Sequence, residues 1–226
     1  MKEILLAHGG GGEETRELIH QLFLKHFGNP LLATLEDAAV FSLSPPLAFT
    51  TDNFTVSPLF FHGGNIGKLA IAGTTNDLAV MGARPRFLSC AFIIEEGFPL
   101  TRLQDIVIAM AEELKSSGAQ IITGDTKVVP RGSADGLFIN TSGIGEIIYP
   151  GIGLGQIQPG DAIVVSGTVG DHGACIMAQR EGIELESDLA SDCATLWPLL
   201  EKIFNTDMTL HAMRDPTRGG LAAVLN

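Results

Sequence analysis

Asn76 and Asp77 stand in the middle of an almost wholly small and apolar stretch, GKLAIAGTTNDLAVMGARP, which runs from Gly67 to Pro85. Leu69, Ala70, Ala72, Leu78, Ala79 and Val80 suit a buried helix, and Gly82 with Pro85 ends it. A carboxylate buried there costs roughly several kcal/mol unless a cation or donors satisfy it. The helix is therefore expected to present Asn76 and Asp77 to a ligand.

Other acidic positions share that character. Asp37 precedes AAVFSL (38–43) and Asp52 closes LAFTTD (47–52), two expected strands joined by Ser44-Pro45-Pro46. A hairpin of those strands would put both carboxylates at one end of a sheet. Magnesium takes oxygen ligands from one or two carboxylates plus phosphates. For Asp37 or Asp52 alone, a turn or capping role is the commoner reading. Gly124-Asp125-Thr126-Lys127 follows the apolar run AQIITG at an expected strand end. Three ligand-capable side chains clustered there favour a phosphate and metal constellation over a turn salt bridge. Together these carboxylates point to a magnesium-nucleotide.

Weaker signals lie on either side. Gly9 to Gly12 could wrap phosphates with backbone N–H groups. Without GxxxxGK[ST], a mobile N-terminal linker is the plainer reading. His8 is similarly open. Asp171-His172 sits where the expected strand DAIVVSG (161–167) runs into a helix, and there an N-cap beside a surface histidine is the simpler account. Arg214, Asp215 and Arg218, beside two glycines, read as a turn with a salt bridge or anion contacts.

The elements that must carry these residues follow from pattern. Glu13 and Glu14 open a helix with Leu18, Ile19, Leu22 and Phe23 on its apolar face, stopped at Gly28-Asn29-Pro30. RFLSCAFIIEE (86–96) reads as a central strand, residues 101–117 as a helix capped by Gly118, and residues 119–129 and 137–148 as strands. Further helices are expected to about Arg180, over roughly Cys193 to Phe204, and from LAAVLN onward. Residues 149–159, rich in glycine and proline, mark a boundary between a domain at 1–150 and the beginning of a second at 151–226.

Bulk composition narrows the class. Of 226 residues, 45% are hydrophobic, which suits a globular α/β chain with a sizeable core. A net charge of −12 disfavours nucleic acid, because phosphate backbones select basic surfaces. Three cysteines, an odd number without a CxxC pair, fit a reducing cytoplasm and not a disulfide framework or zinc site. No apolar run approaches the roughly 20 residues a membrane helix needs. A cytoplasmic protein without membrane contact is expected.

The motifs AHGGGG, EDAAVF, FTTDNF, PLFFHGGNIGKLAIAGTTNDLAVMGARPRFLSC, ITGDTKVV, FINTSGIG, VSGTVGDHG and MRDPTRGG cover the whole chain. In these it resembles the HypE family of hydrogenase maturation factors. That family lies within the ATP-binding superfamily of aminoimidazole ribonucleotide synthetase, thiamine-monophosphate kinase and selenophosphate synthetase. The resemblance implies a two-domain α/β (α+β) fold whose N-terminal sheets pair, in a homodimer, into a β-barrel. It implies ATP and Mg2+, with Asp37, Asp52, Asp77 and Asp125 holding the metal and phosphates. It makes Gly9, Gly10, Gly11 and Gly12 a lid, and it places Asn76, Thr126, Lys127 and Asn140 in the nucleotide pocket. Lys127 and Asp77 are the implied catalytic pair.

The implied reaction is ATP-dependent dehydration of a carbamoylated C-terminal cysteine to a thiocyanate, which supplies the cyanide ligands of NiFe hydrogenase. HypF would deliver the carbamoyl group and the HypC–HypD complex would accept the cyanide. The family's tail ends in a Pro-Arg-Ile-Cys-like sequence, whereas this chain ends at Asn226. By the resemblance about a third of a usual member, with the modified cysteine, is missing, and this chain alone is expected not to form thiocyanate on itself. The alternatives are a noncatalytic dimerising scaffold and another superfamily member, such as a small-molecule kinase or selenophosphate synthetase.

Overall fold

The computed structural model describes residues 3–35, 38–44, 46–183 and 189–226. Among them, a four-stranded mixed sheet carries helices on one face. In chain order the first elements are a 3-10 turn (Leu6–Gly9), α1 (Glu13–Leu18), a π-helical stretch (Ile19–Phe23) and α2 (Leu24–Phe27). Then follow β1 (Leu47–Phe54), β2 (Phe60–Phe61), β3 (Gly64–Asn65), α3 (Ile66–Val80), β4 (Ala83–Glu95) and α4 (Leu100–Ser117). The remainder is β5 (Gln120–Val129), β6 (Leu137–Ile147), α5 (Asp171–Glu181), α6 (Trp197–Phe204) and α7 (Gly220–Leu225).

The sheet order is β1-β6-β4-β5. β4 is central as expected, running antiparallel to β6 and parallel to β5. The helix α4 is the crossover that a parallel pair requires. Its stripe of Leu103, Ile106, Val107 and Met110 is fully buried, as are Leu88 and Ile94 of β4 and Leu137 of β6.

α3 lies on the same face of the sheet. Asn65 caps it, its Oδ1 accepting from the N–H groups of Gly67 at 2.9 Å and Lys68 at 3.1 Å. Gly143 of β6 is what lets α3 come so close. A Cβ there would stand 2.9 Å from Thr74 Cγ2 and 3.0 Å from Leu78 Cδ1. Thr74 and Thr141 are both fully buried and share a hydroxyl hydrogen bond, so the helix–sheet seam keeps its polar atoms satisfied.

Several expectations need correction. Residues 38–43 form no strand, so there is no hairpin with 47–52; β1 pairs with β6 instead. That part of the chain has no ladder partner, and Val40 is 87% exposed. Gly124 to Lys127 is no turn at a strand end but the middle of β5, where parallel pairing with β4 continues through Val129. Residues 161–167 are not a buried strand: Ile163 and Val164 are 74% and 87% exposed, and no strand among the described residues pairs with them. The helix placed from Cys193 starts only at Trp197, because polar groups of α3 and α4 hold residues 194–196 in an irregular conformation.

Candidate functional site

Among the described residues, the candidate acidic residues of the nucleotide site and the glycine run fall into two groups on opposite edges of the sheet. The first surrounds Asp77. On the helix-covered face of β1, Thr50 Oγ1 donates to Asp77 Oδ2 at 2.8 Å. Asp52, two residues on, shares that face, and its Oδ1 accepts from the N–H of Asn53 at 2.8 Å. The loop before α7 completes the group. Arg218 lies 3.6 Å from Asp52 Oδ1, and Asp215 and Arg214 are close enough to act electrostatically on Asp77.

These carboxylates do not sit comfortably together. Burial raises Asp77 above the ordinary carboxylate range, and the charge of Asp52 adds to it, while the Thr50 hydroxyl and Arg214 pull the other way. Burial, reinforced by Asp77, pushes Asp215 up to about 6. Burial and neighbouring negative charge that raise Asp77 and Asp215 in this way match an oxygen-ligated divalent cation, which would relieve the repulsion. They are not a closed cage. Among the described residues no three His, Cys, Asp or Glu side chains are grouped to hold a metal by themselves. A donor set of this kind suits magnesium, which keeps several waters and phosphate oxygens as ligands.

The second group lies along β5. The glycine run folds over this edge strand, and a Cβ on Gly9 would stand 2.5 Å from Val128 N. Gly10 N–H donates to Ala7 O at 3.2 Å, and Gly11 N–H to Thr15 Oγ1 at 2.9 Å. Gly12 is the residue from which α1 starts. The run is thus a structured turn. A cavity of about 220 Å³ opens beneath it, lined by Gly9, Gly11, Thr15, Phe23, Asp125 and Thr126 among others. Asp125 and Lys127 are exposed, and Asp125 Oδ1 accepts the N–H of Thr126 at 2.8 Å. His8 is buried, its Nδ1 accepting from Leu5 N–H at 2.8 Å.

Two of the expected pocket residues are engaged elsewhere. Asn76 Nδ2 donates to Ala194 O at 3.0 Å, and its Oδ1 accepts from Leu196 N–H at 2.7 Å. Asn140 lies on the face opposite the helices and donates to Asp52 O at 3.1 Å and to Asn53 Oδ1 at 2.9 Å. Asp37 lies outside the described residues. The sequence reads Asp215 only as part of a turn with a salt bridge or anion contacts; an aspartate between two arginines and next to a proline is the signal that marks it.

Comparison with known proteins decides the family. Residues 35–147 match the AIR synthase related protein N-terminal domain, and residues 158–226 the C-terminal domain. The carbamoyl dehydratase HypE of Escherichia coli (strain K12) is 50% identical over 235 residues, covering 100% of this chain and 69% of the relative. The chain belongs to the HypE family. A crystal structure of hydrogenase maturation protein HypE in complex with ATP superimposes with a TM-score of 0.95 at 51% identity, over 98% of this chain and 66% of that one. A HypE–HypF complex matches with a TM-score of 0.77 at 49% identity, covering 92% and 68%. The chain thus spans about two thirds of the length of the HypE proteins it matches. HypE is an ATP-dependent carbamoyl dehydratase of hydrogenase maturation, and the AIR synthase-like fold agrees with that membership. No helix among the described residues is long and apolar enough to cross a membrane.

Proposed function

We propose that this chain provides the ATP-binding part of a carbamoyl dehydratase. The observation that carries the reading is the likeness to HypE bound to ATP, at a TM-score of 0.95 over nearly the whole chain. The reaction turns a cysteine thiocarboxamide, with ATP, into a thiocyanate, ADP and phosphate. The carboxamide oxygen is a poor leaving group, and phosphorylation makes it a good one; both N–H protons are lost as the nitrile forms. In-line phosphoryl transfer asks the protein chiefly for positioning and for charge stabilisation.

In this reading Asp77 and Asp215 would hold magnesium together with water and phosphate oxygens, with Asp52 nearby, and the ion when bound offsets the negative charge of the phosphates. Asp125, Thr126 and Lys127 meet the triphosphate beneath the glycine run, with Lys127 as the cationic clamp and Asp77 orienting the cation. Cys90 and Cys175 are buried, and burial pushes Cys193 up to about 12. None of these three is assigned the carbamoyl group. HypF as donor rests on the HypE–HypF likeness, and HypC–HypD as acceptor on the family. The division into units at 1–150 and 151–226 is proposed from the linker composition.

The two groups belong to one site only if a second copy joins them. β1 and β5 are the two edges of the sheet, three inter-strand gaps apart, or about 14 Å. The face of the sheet opposite the helices is largely open and partly apolar: Phe41 packs on Phe87, while Phe49, Leu47 and Ile93 are 70%, 48% and 44% exposed. A homodimer that closes two such sheets into a barrel covers these residues and removes both open edges. Laying β5 of one copy against β1 of the other then sets the strand that carries Asp125 and Thr126 beside the strand that carries Asp52 across the interface.

Calorimetric titration of magnesium-ATP into the protein tests the reading, with its mass in solution measured alongside. Magnesium-dependent binding by a dimer is expected. A folded dimer that ignores the nucleotide would overturn it.

A further inference from the structure

Asn76 and Asp77 are successive residues of α3, yet they reach in different directions. Asp77 bonds Thr50 of β1, while Asn76 grips the backbone on both sides of Thr195. Two more side chains close on the same short segment. Glu113 of α4, itself only 8% exposed, accepts the Thr195 N–H at 2.5 Å, and Thr75 Oγ1 meets Thr195 Oγ1 at 3.3 Å. Residues 194–196 are therefore held by three side chains from two helices.

That segment leads directly into α6. Trp197 and Leu200 pack on Ala79 and Val80 in the last turn of α3. Arg84, just after α3, pairs with Glu201 at 2.9 Å and lies over the Trp197 ring at 5.7 Å. The chain leaving α6 is fixed next: Tyr149 OH donates to Met208 O and accepts from Leu210 N–H, both at 3.1 Å. Five residues beyond Leu210 comes Asp215, within electrostatic reach of Asp77, and Arg218 three residues on lies 3.6 Å from Asp52 Oδ1. The path from Asn76 through α6 to Asp215 closes on the helix from which it started.

We propose that Asn76 and Glu113 are positioning residues that set Asp215 and its flanking arginines against Asp77, and that Asn76 makes no contact with nucleotide. This rests on the reading of Asp77 and Asp215 as the cation-holding pair. The geometry favours it because the Asn76 amide already commits its oxygen and one of its two N–H donors to the backbone of residues 194–196 at 3.0 Å or less. Two backbone bonds from one amide also fix orientation as well as distance, which a single contact does not.

The test combines hydrogen–deuterium exchange over residues 194–219 with magnesium-ATP titration, on the wild type and on Asn76→Ala, Glu113→Ala and Glu113→Gln. Asn76→Ala and Glu113→Ala are expected to speed exchange in that segment about tenfold and to weaken nucleotide binding by a similar factor. Glu113→Gln keeps an acceptor for Thr195 N–H and is expected to restore both. Weakened binding with unchanged exchange in Asn76→Ala would place Asn76 on the ligand and overturn the proposal. Faster exchange with unchanged affinity would overturn it too. If Asn76→Ala fails to fold, the Glu113 pair decides on the same two readouts. A wild type that binds no nucleotide would instead sink the proposed function, and the exchange data would still decide whether the clamp exists.

Discussion

Thr50 and Asp77 are joined by a 2.8 Å hydrogen bond that ties the edge strand β1 to the central helix α3. Thr50 is the donor, so the bond favours the ionised carboxylate against the burial that raises it. Thr50→Val removes this support. It is expected to raise Asp77 further and to cost about 1 kcal/mol of stability, read from urea midpoints. Asp77→Asn behaves differently. Its neutral amide suits the half-buried site, so stability holds, while magnesium-ATP affinity drops tenfold or more, about 1.4 kcal/mol. Unchanged affinity would remove Asp77 from the site.

Asp215 makes stability depend on pH in a defined direction. Its carboxyl is pushed from 3.8 to about 6 in the folded chain. Between those values the folded state holds a proton that the unfolded state has released. Stability contributed by this group therefore falls as pH rises through that window and levels off above it. Asp215→Asn should flatten the fall when denaturation midpoints of both proteins are compared across it, without nucleotide or divalent cation.

Gly143 and Gly9 mark two close approaches with different consequences. At Gly143→Ala the new methyl meets Thr74 and Leu78 within the packed helix–sheet seam. A loss of about 1–3 kcal/mol is expected from overpacking. At Gly9→Ala the methyl meets the backbone of Val128, so the glycine turn must lift from β5. Nucleotide affinity should suffer there more than stability does, which calorimetry and melting together can resolve.

The largely open face of the sheet gives a prediction about assembly. Phe49 is 70% exposed on an otherwise ordered edge strand, and Ile93 lies on the same face of β4. Phe49→Asp or Ile93→Asp places a charge where the proposed dimer buries apolar surface. Sedimentation should show a monomer that melts as a folded protein.

How far the sequence was legible follows from which signals were local. The buried helix around Asp77, its stop at Gly82, the amphipathic α4 with Gly118 behind it, and the apolar β4 all depend on contiguous pattern, and all are present. Residues 38–43 and 161–167 carry a strand-like composition, but a strand exists only where another supplies its hydrogen bonds, and that is not a local property. The GDTK tetrapeptide looked like a turn because glycine and aspartate favour turns, yet pairing with β4 overrode the preference. Pairing of β1 with β6, which sets Asp52 and Asp125 on opposite edges, joins residues about ninety apart, and no nearby pattern encodes it. The place of Asp215 in the site and the clamp on residues 194–196 were missed for the same reason, since each depends on a long-range return of the chain to α3.

The central claim is that Asp52 of one copy and Asp125 of another serve the same nucleotide. Asp52→Asn and Asp125→Asn, each alone, should abolish magnesium-ATP binding. Dimers mixed from the two variants should recover it at one site per two chains, because one of the two sites then has both aspartates intact. Calorimetry on tagged, purified mixed dimers reads the stoichiometry directly. Recovery of half the wild-type sites is the result this account predicts; no recovery, with both parent variants folded and dimeric, would contradict it.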